Sequence, residues 1–206
     1  MKIVIAQLNP TVGDVAGNLA RLKQALERTR EDHPDLIVFP ELFLTGYPPR
    51  DLLQRPGFLA AAQDGLDEAV KRSADFEAGI LLGAPVRNGR QSGKGLGNAA
   101  VLIHRGAVVG IQCKSLLPSY DVFDETRYFD PAAEIATIEF KKERLGITVC
   151  EDAWNDPQLW GGRRIYALDP VDKLARQGAT VLVNVSASPF EMGKEATRRA
   201  LIGGHA

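Results

Sequence analysis

The sequence predicts an α/β fold built on a mixed sheet, and three observations support this. Continuous apolar runs such as residues 36–39 are typical of strands that are covered on both faces. Stretches with helical periodicity alternate with these runs, as in βα units. Two pairs of strand-like segments are joined by short turns, which indicates antiparallel hairpins. At 206 residues, of which 45% are hydrophobic, one domain with a sizeable core is expected.

The first half of the chain is predicted to alternate strands and helices. Asp14 and Asn18 are cap candidates for a first helix, because such side chains accept hydrogen bonds from free N–H groups at a helix start. Pro40 ends the second strand, and Glu41 follows at its tip. The expected elements are strands over residues 2–8, 36–39 and 79–84, a first helix that carries Leu19, Leu22 and Leu26 on one face, and a second helix over residues 58–76.

The second half is predicted to contain two hairpins, a helix, a buried strand and a last helix. Residues 87–97 contain four glycines and indicate a loop. Gly106 suits the turn of the first hairpin because glycine adopts positive φ without cost. The expected elements are strands over residues 98–104, 107–113, 134–140, 144–149 and 179–185, and helices over residues 171–177 and 191–202. The sequence stops four residues after the last helix, which we interpret as a chain that lacks its natural C-terminal continuation.

Composition and charge make several classes of protein poor fits. The chain has 25 basic and 26 acidic residues without a block of like charge, so neither nucleic acid nor a membrane surface is an expected partner. The N-terminus turns polar too soon for a signal peptide, and no apolar run approaches the roughly 20 residues that span a bilayer. Cys113 and Cys150 have neither metal-site spacing nor a disulfide framework. A cytoplasmic protein without a metal site is therefore expected.

Three polar residues that follow apolar strands form a candidate active site. Cys150 ends a β-branched run, Glu41 follows Pro40, and Lys114 follows the second strand of the first hairpin. A thiolate attacks carbonyl carbon, a sheltered carboxylate can take the thiol proton, and an ammonium can stabilise an oxyanion and favour the thiolate. Each residue alone fits a core or surface role equally well. Their shared placement at strand ends favours a site, because ligands of α/β sheets bind there.

The same segments resemble a known family. Phe39-Pro-Glu-Leu, Lys114-Ser-Leu-Leu-Pro-Ser-Tyr and Val149-Cys-Glu-Asp are similar to the glutamate–lysine–cysteine triad of the carbon–nitrogen hydrolase (nitrilase) superfamily. Leu44-Thr-Gly-Tyr-Pro-Pro-Arg-Asp-Leu-Leu, the segment that begins at Tyr120, and Asn184-Val-Ser-Ala-Ser-Pro-Phe look like the glutaminase domains of glutamine-dependent NAD synthetases. The resemblance implies a four-layer αββα sandwich, in which residues 1–206 are an incomplete carbon–nitrogen hydrolase domain.

The resemblance also implies an activity. Glutamine would be hydrolysed to glutamate and ammonia without a cofactor, with Glu41 as base, Lys114 at the oxyanion and Cys150 as nucleophile. The positions that match substrate-holding residues of the family are Tyr120, Ser188 and Lys194. In that family the ammonia passes to a C-terminal synthetase domain, which uses ATP and magnesium to make NAD from nicotinic acid adenine dinucleotide. The Ser-Gly-Gly phosphate loop of such a domain is not in this sequence. A homo-oligomer is also implied.

The sequence leaves two alternatives and several residue roles open. The chain could be a stand-alone amidase of the same superfamily that acts on another small amide. It could also be a non-catalytic binding or assembly module on this fold. Asp124 and Glu125 fit a loop salt bridge as well as the site, and Glu151 is a candidate neighbour of the nucleophile. Trp154 and Trp160 fit core packing as well as the edge of the site.

Overall fold

Two β-sheets and four α-helices make up the computed structural model, which describes residues 1–120 and 123–206. The strands are β1 (Ile3–Ile5), β2 (Leu36–Val38), β3 (Gly79–Arg87), β4 (Leu96–His104), β5 (Ala107–Cys113), β6 (Ile138–Phe140), β7 (Glu143–Val149) and β8 (Val181–Val185). The helices are α1 (Val15–Thr29), α2 (Pro56–Arg72), α3 (Pro170–Arg176) and α4 (Lys194–His205).

The predicted mixed sheet is divided into two mixed sheets. The larger sheet has the order β1-β2-β3-β4-β5, in which β1, β2 and β3 run parallel and β3, β4 and β5 are antiparallel neighbours. The smaller sheet has the order β6-β7-β8, with β6 antiparallel and β8 parallel to β7. Both predicted hairpins are present, and each βα connection returns to the sheet from which it left.

The apolar side chains place these elements in four layers. Leu22 of α1 and Leu66 of α2 pack with Ile80 on one face of the larger sheet. The opposite face packs against the smaller sheet, where Leu81 shares a cluster with Ile147. Burial of each such side chain stabilises the fold by about 1.5–3 kcal/mol. Helix α3 lies on the outer face of the smaller sheet, where its Leu174 packs over Gly146 of β7. Helix α4 buries Leu201. The order is helix, sheet, sheet, helix, as the resemblance implies.

Several predicted boundaries are wrong by a few residues. Asp14 caps α1 through its carboxylate, which accepts the Gly17 N–H at 2.9 Å, whereas Asn18 lies inside the helix. Asn18 is buried there because its amide bonds the backbone of Thr11 and Leu44 and so ties two loops to the helix. The last helix begins after Gly193, whose φ of 85° ends the preceding turn. Over residues 1–120 and 123–206, no helix has both the length and the apolar character required to cross a bilayer.

Candidate active site

Glu41 lies in the turn that follows β2 and is fully buried. Its Oε1 accepts hydrogen bonds from Lys114 Nζ at 2.9 Å and from Asn98 Nδ2 at 2.8 Å. Its Oε2 accepts the backbone N–H of Ala187 at 3.0 Å. The next residue, Leu42, has a φ of 46°, a left-handed value that non-glycine residues adopt at a cost. Three donors and a strained turn therefore fix the carboxylate in one orientation.

Lys114 follows β5 and is fully buried between two carboxylates. Its Nζ donates to Glu41 Oε1 at 2.9 Å and to Glu125 Oε1 at 2.6 Å. Burial alone would lower the pKa of Lys114, but the charges of Glu41, Cys150 and Glu125 raise it well above the ordinary value. The side chain is therefore a fixed ammonium and does not serve as a base.

Glu125 completes this network from the loop before β6. Its Oε1 also accepts the hydroxyl of Tyr47 at 2.9 Å, and its Oε2 accepts Asn98 Nδ2 at 3.1 Å. Asn98 thus bridges the two carboxylates with its amide nitrogen. Burial raises the pKa of Glu125, although Lys114 and the amide of Asn98 act in the opposite direction. Glu125 therefore forms the loop salt bridge that the sequence allows, and its partner is Lys114 of the candidate site.

Cys150 follows β7 and is the first residue of a short 3-10 turn over Cys150–Ala153. It is buried and has a φ of 44°, a conformation that costs on the order of 1–3 kcal/mol outside glycine. Burial and then the charge of Glu41 raise the pKa of Cys150 to about 12, while Lys114 and a hydrogen bond from Ser186 lower it. The sequence predicts correctly that Lys114 favours the thiolate, but burial and Glu41 outweigh this effect. The Cys150 thiol is therefore protonated at neutral pH.

Asp152 joins the segment that carries Lys114 to the turn that carries Cys150. Its Oδ1 accepts the backbone N–H groups of Ser115 at 2.9 Å and Leu116 at 2.8 Å, and its Oδ2 accepts that of Val149 at 3.0 Å. The side chain is buried, and burial raises its pKa to about 7 even though the three N–H donors favour the charged form. One carboxylate therefore sets the distance between two strand ends that belong to different sheets.

The loop after β8 contacts both the nucleophile and the carboxylate. The hydroxyl of Ser186 donates to Cys150 Sγ at 3.4 Å, and the N–H of the next residue, Ala187, donates to Glu41 Oε2. Asn184 supports the same loop, since its amide nitrogen donates to the carbonyl of Cys150 at 3.3 Å. Glu41 and Cys150 are therefore held by adjacent residues of a single segment.

A cavity of about 530 Å³ opens beside Cys150. Its wall includes every residue that the sequence assigns to substrate binding, together with a carboxylate and an indole: Tyr120, Ser188 and Lys194, with Glu151 and Trp154. Lys194 Nζ lies 5.5 Å from the centroid of the Trp154 ring, within cation–π range. The cavity thus presents a negative and a positive side chain next to a buried thiol.

The sequence alone does not predict the contacts of several residues of the site. Asn98 looks like an ordinary strand residue, and the one signal for it is a polar side chain at the start of an apolar run. Asp152 follows the candidate nucleophile by two positions, but nothing local indicates that two of its three partners, Ser115 and Leu116, lie before β6. Among the described hydrogen bonds, His104 and His205 contact the backbone carbonyls of Glu77 and Ala153 and do not join the network around Glu41 and Lys114. Within the described part of the chain, no group of three or more His, Cys, Asp and Glu side chains is arranged to hold a metal ion.

A family model described as carbon-nitrogen hydrolase matches residues 2–204. The chain belongs to this family. Among curated relatives, a glutamine-dependent NAD(+) synthetase of Synechocystis sp. is 41% identical over 203 residues, which are 97% of this chain and 36% of the relative. The enzyme of the same name from Thermotoga maritima is 36% identical over 97% of this chain and 32% of its own length. This carbon–nitrogen hydrolase chain spans about a third of the length of the curated relatives that it matches.

Solved structures give the same fold. A glutamine-dependent NAD+ synthetase from Acinetobacter baumannii superposes with a TM-score of 0.82 at 26% identity, over 98% of this chain and 35% of that one. An amidase from Nesterenkonia sp. superposes with a TM-score of 0.77 at 21% identity, over 100% of this chain and 71% of that one. At that identity the amidase supports the fold alone. The carbon–nitrogen hydrolase fold expected from the sequence is therefore confirmed.

Proposed function

We propose that this carbon–nitrogen hydrolase hydrolyses the side-chain amide of glutamine to glutamate and ammonia through a thioester on Cys150. One observation carries the proposal: a buried thiol, Glu41 and Lys114 belong to one network at the wall of a cavity that also contains Glu151 and Lys194. The cavity volume of about 530 Å³ leaves ample room for an amino acid. The names of the most similar curated relatives support the same substrate.

Glu41, Cys150 and Lys114 each have a separate role in the proposed reaction. Glu41 removes the proton of Cys150, and the sulfur attacks the amide carbon. The developing oxyanion lies near the ammonium of Lys114, whose raised pKa keeps it positively charged. The tetrahedral intermediate breaks its C–N bond as Glu41 returns the proton to nitrogen, which releases ammonia and leaves a glutamyl thioester. Glu41 then takes a proton from water, the hydroxyl adds to the thioester, and glutamate leaves as the thiol is restored.

The charges in the cavity suit the backbone of a free amino acid. Glu151 is buried and presents a carboxylate, while Lys194 lines the same cavity and presents an ammonium. An α-ammonium group would bind beside Glu151 and an α-carboxylate beside Lys194, because desolvated charges require partners of opposite sign. Tyr120 and Ser188 would supply further hydrogen bonds. A simple aliphatic amide would bring neither an ammonium group to Glu151 nor a carboxylate to Lys194.

The proposal extends to the setting of the reaction. The curated relatives are about three times as long as this chain, which supports residues 1–206 as an incomplete hydrolase domain that supplies ammonia to a C-terminal synthetase domain. That domain would use ATP and magnesium, and the glutaminase step would use no cofactor. A cytoplasmic location accords with the two free cysteines, since thiols persist in a reducing compartment. Association into a homo-oligomer is part of the same proposal.

The test uses Cys150→Ala and Cys113→Ala in the complete natural protein that carries this sequence. We expect Cys150→Ala to abolish ammonia release from glutamine and Cys113→Ala to preserve it. An electrophilic glutamine analogue should give a single adduct on Cys150, as determined by peptide mass spectrometry. Glutamine hydrolysis by Cys150→Ala would overturn the proposal. Equal turnover of a simple aliphatic amide would favour a stand-alone amidase, and a folded protein without turnover or adduct would favour a non-catalytic module.

A further inference from the structure

Glu151 lies directly after the nucleophile, and two tyrosines orient its carboxylate. The hydroxyl of Tyr120 donates to both Glu151 oxygens at 2.9 Å, and the hydroxyl of Tyr166 donates to Oε1 at 2.9 Å. Both phenols are neutral donors, so they fix the direction of the carboxylate and leave its negative charge available to a cationic group of the ligand. The two tyrosines differ in position: Tyr120 lines the cavity, whereas Tyr166 contacts Glu151 from outside the cavity wall.

Tyr166 reaches Glu151 because Asn155 fastens the intervening loop. The buried amide of Asn155 donates to the carbonyls of Tyr166 at 2.9 Å and Leu168 at 2.8 Å, and its oxygen accepts the N–H of Tyr166 at 3.0 Å. The backbone of Tyr166 is therefore held independently of its hydroxyl. Burial and the charge of Glu151 raise the pKa of Tyr166 above its ordinary value, so the phenol remains a donor through the neutral range.

We propose that Tyr166 is a positioning residue for substrate specificity, which aims the Glu151 carboxylate at the α-ammonium group of an amino acid substrate. The inference rests on the proposed function, because it assumes that glutamine occupies the cavity beside Cys150. Tyr166 acts through Glu151 and does not touch the substrate. Its contribution should therefore appear in substrate binding, and only for substrates that carry an α-amino group.

The experiment compares Tyr166→Phe with the wild type on two substrates, glutamine and 4-carbamoylbutanoate, which is glutamine without its α-amino group. The loss of one hydrogen bond to a charged carboxylate should raise KM for glutamine about tenfold, with kcat changed less than about twofold. The kcat/KM for 4-carbamoylbutanoate should stay within about twofold of the wild-type value. Tyr128→Phe is the matched control, since it removes a hydroxyl that donates to a carboxylate of Asp51 at 2.7 Å, away from the cavity.

The outcomes separate this inference from the proposed function. An unchanged KM for glutamine in Tyr166→Phe would overturn the role of Tyr166, as would an equal decrease in kcat/KM on both substrates. Neither result would affect the proposal that the wild type hydrolyses glutamine. A wild-type protein that neither binds nor hydrolyses glutamine would overturn both. A matching rise in KM for Tyr128→Phe would show a general effect of the substitution type and would also count against the role of Tyr166.

Discussion

Asp152→Asn tests whether one buried carboxylate sets the geometry of the site. An asparagine has a single carbonyl oxygen. If that oxygen takes the place of Oδ1, it keeps the N–H groups of Ser115 and Leu116, and its NH₂ group then faces the N–H of Val149. One buried N–H is left without an acceptor, which costs about 1–3 kcal/mol. For a domain of this size each kcal/mol lowers Tm by about 2–4 °C, so we expect a fall of roughly 2–12 °C.

Thermal unfolding followed by circular dichroism at pH 8 measures this change. At that pH the carboxylate is mainly ionised, since the pKa of Asp152 is about 7, and the comparison is between a carboxylate and an amide. The kcat for glutamine should also fall by at least about tenfold, because misplacement of catalytic groups is costly. Asp51→Asn is the control: Asp51 is exposed, and its substitution should change the free energy of unfolding by at most about 0.5 kcal/mol. If Asp152→Asn had the same Tm as Asp51→Asn and kept full activity, the reasoning about Asp152 would fail.

Three further predictions concern the carboxylate of Glu41 and the turn that carries it. Glu41→Gln should lower kcat/KM for glutamine by about 100-fold to 10,000-fold through the loss of the base, and a decrease below tenfold in an ammonia assay would contradict that role. The same substitution removes a charge that raises the pKa of Cys150 to about 12, so iodoacetamide should label Cys150 faster at pH 9 than in the wild type. Gly83→Ala should lower the free energy of unfolding by about 1–3 kcal/mol, because a Cβ there would overlap Pro40 and the turn of Glu41. Gly57→Ala, where a Cβ meets nothing within 4 Å, is its control, and equal denaturant midpoints for both would disprove the overlap.

The sequence predicts the strands and the three catalytic candidates because these depend on local patterns. Apolar runs mark β2, β4 and β7, and the polar residues at their ends mark a site. The division into two sheets is not predicted, since periodicity identifies a strand without identifying its neighbours. Asn98 illustrates the same limit at the site. Its role depends on the packing of β4 between Glu41 and Glu125, which are distant in sequence.

The sequence does not predict the contacts of Tyr166 and Asp152, for a related physical reason. Each acts through a hydrogen bond that closes a loop, and the partner of each bond is fixed by loop conformation. Loops carry no periodicity from which a contact can be inferred. Lys114 could be proposed because its ammonium matches a chemical requirement of the reaction. A residue that positions another residue matches no such requirement and becomes visible only in the folded chain.

The network itself distinguishes the base from its neighbouring carboxylate. The raised pKa of Lys114 excludes it as a proton acceptor, and the raised pKa of Cys150 requires one. In the described part of the chain, Glu125 and Glu41 each accept two hydrogen bonds on Oε1 and one on Oε2, so the number of donors does not distinguish them. Glu41 Oε2 accepts one N–H, from the loop whose preceding residue holds the sulfur of Cys150. A carboxylate oxygen can accept a second hydrogen bond. We therefore propose Glu41 Oε2 as the acceptor of the thiol proton, because its N–H donor adjoins the residue that contacts the sulfur of Cys150, whereas the described partners of Glu125 are Lys114, Tyr47 and Asn98.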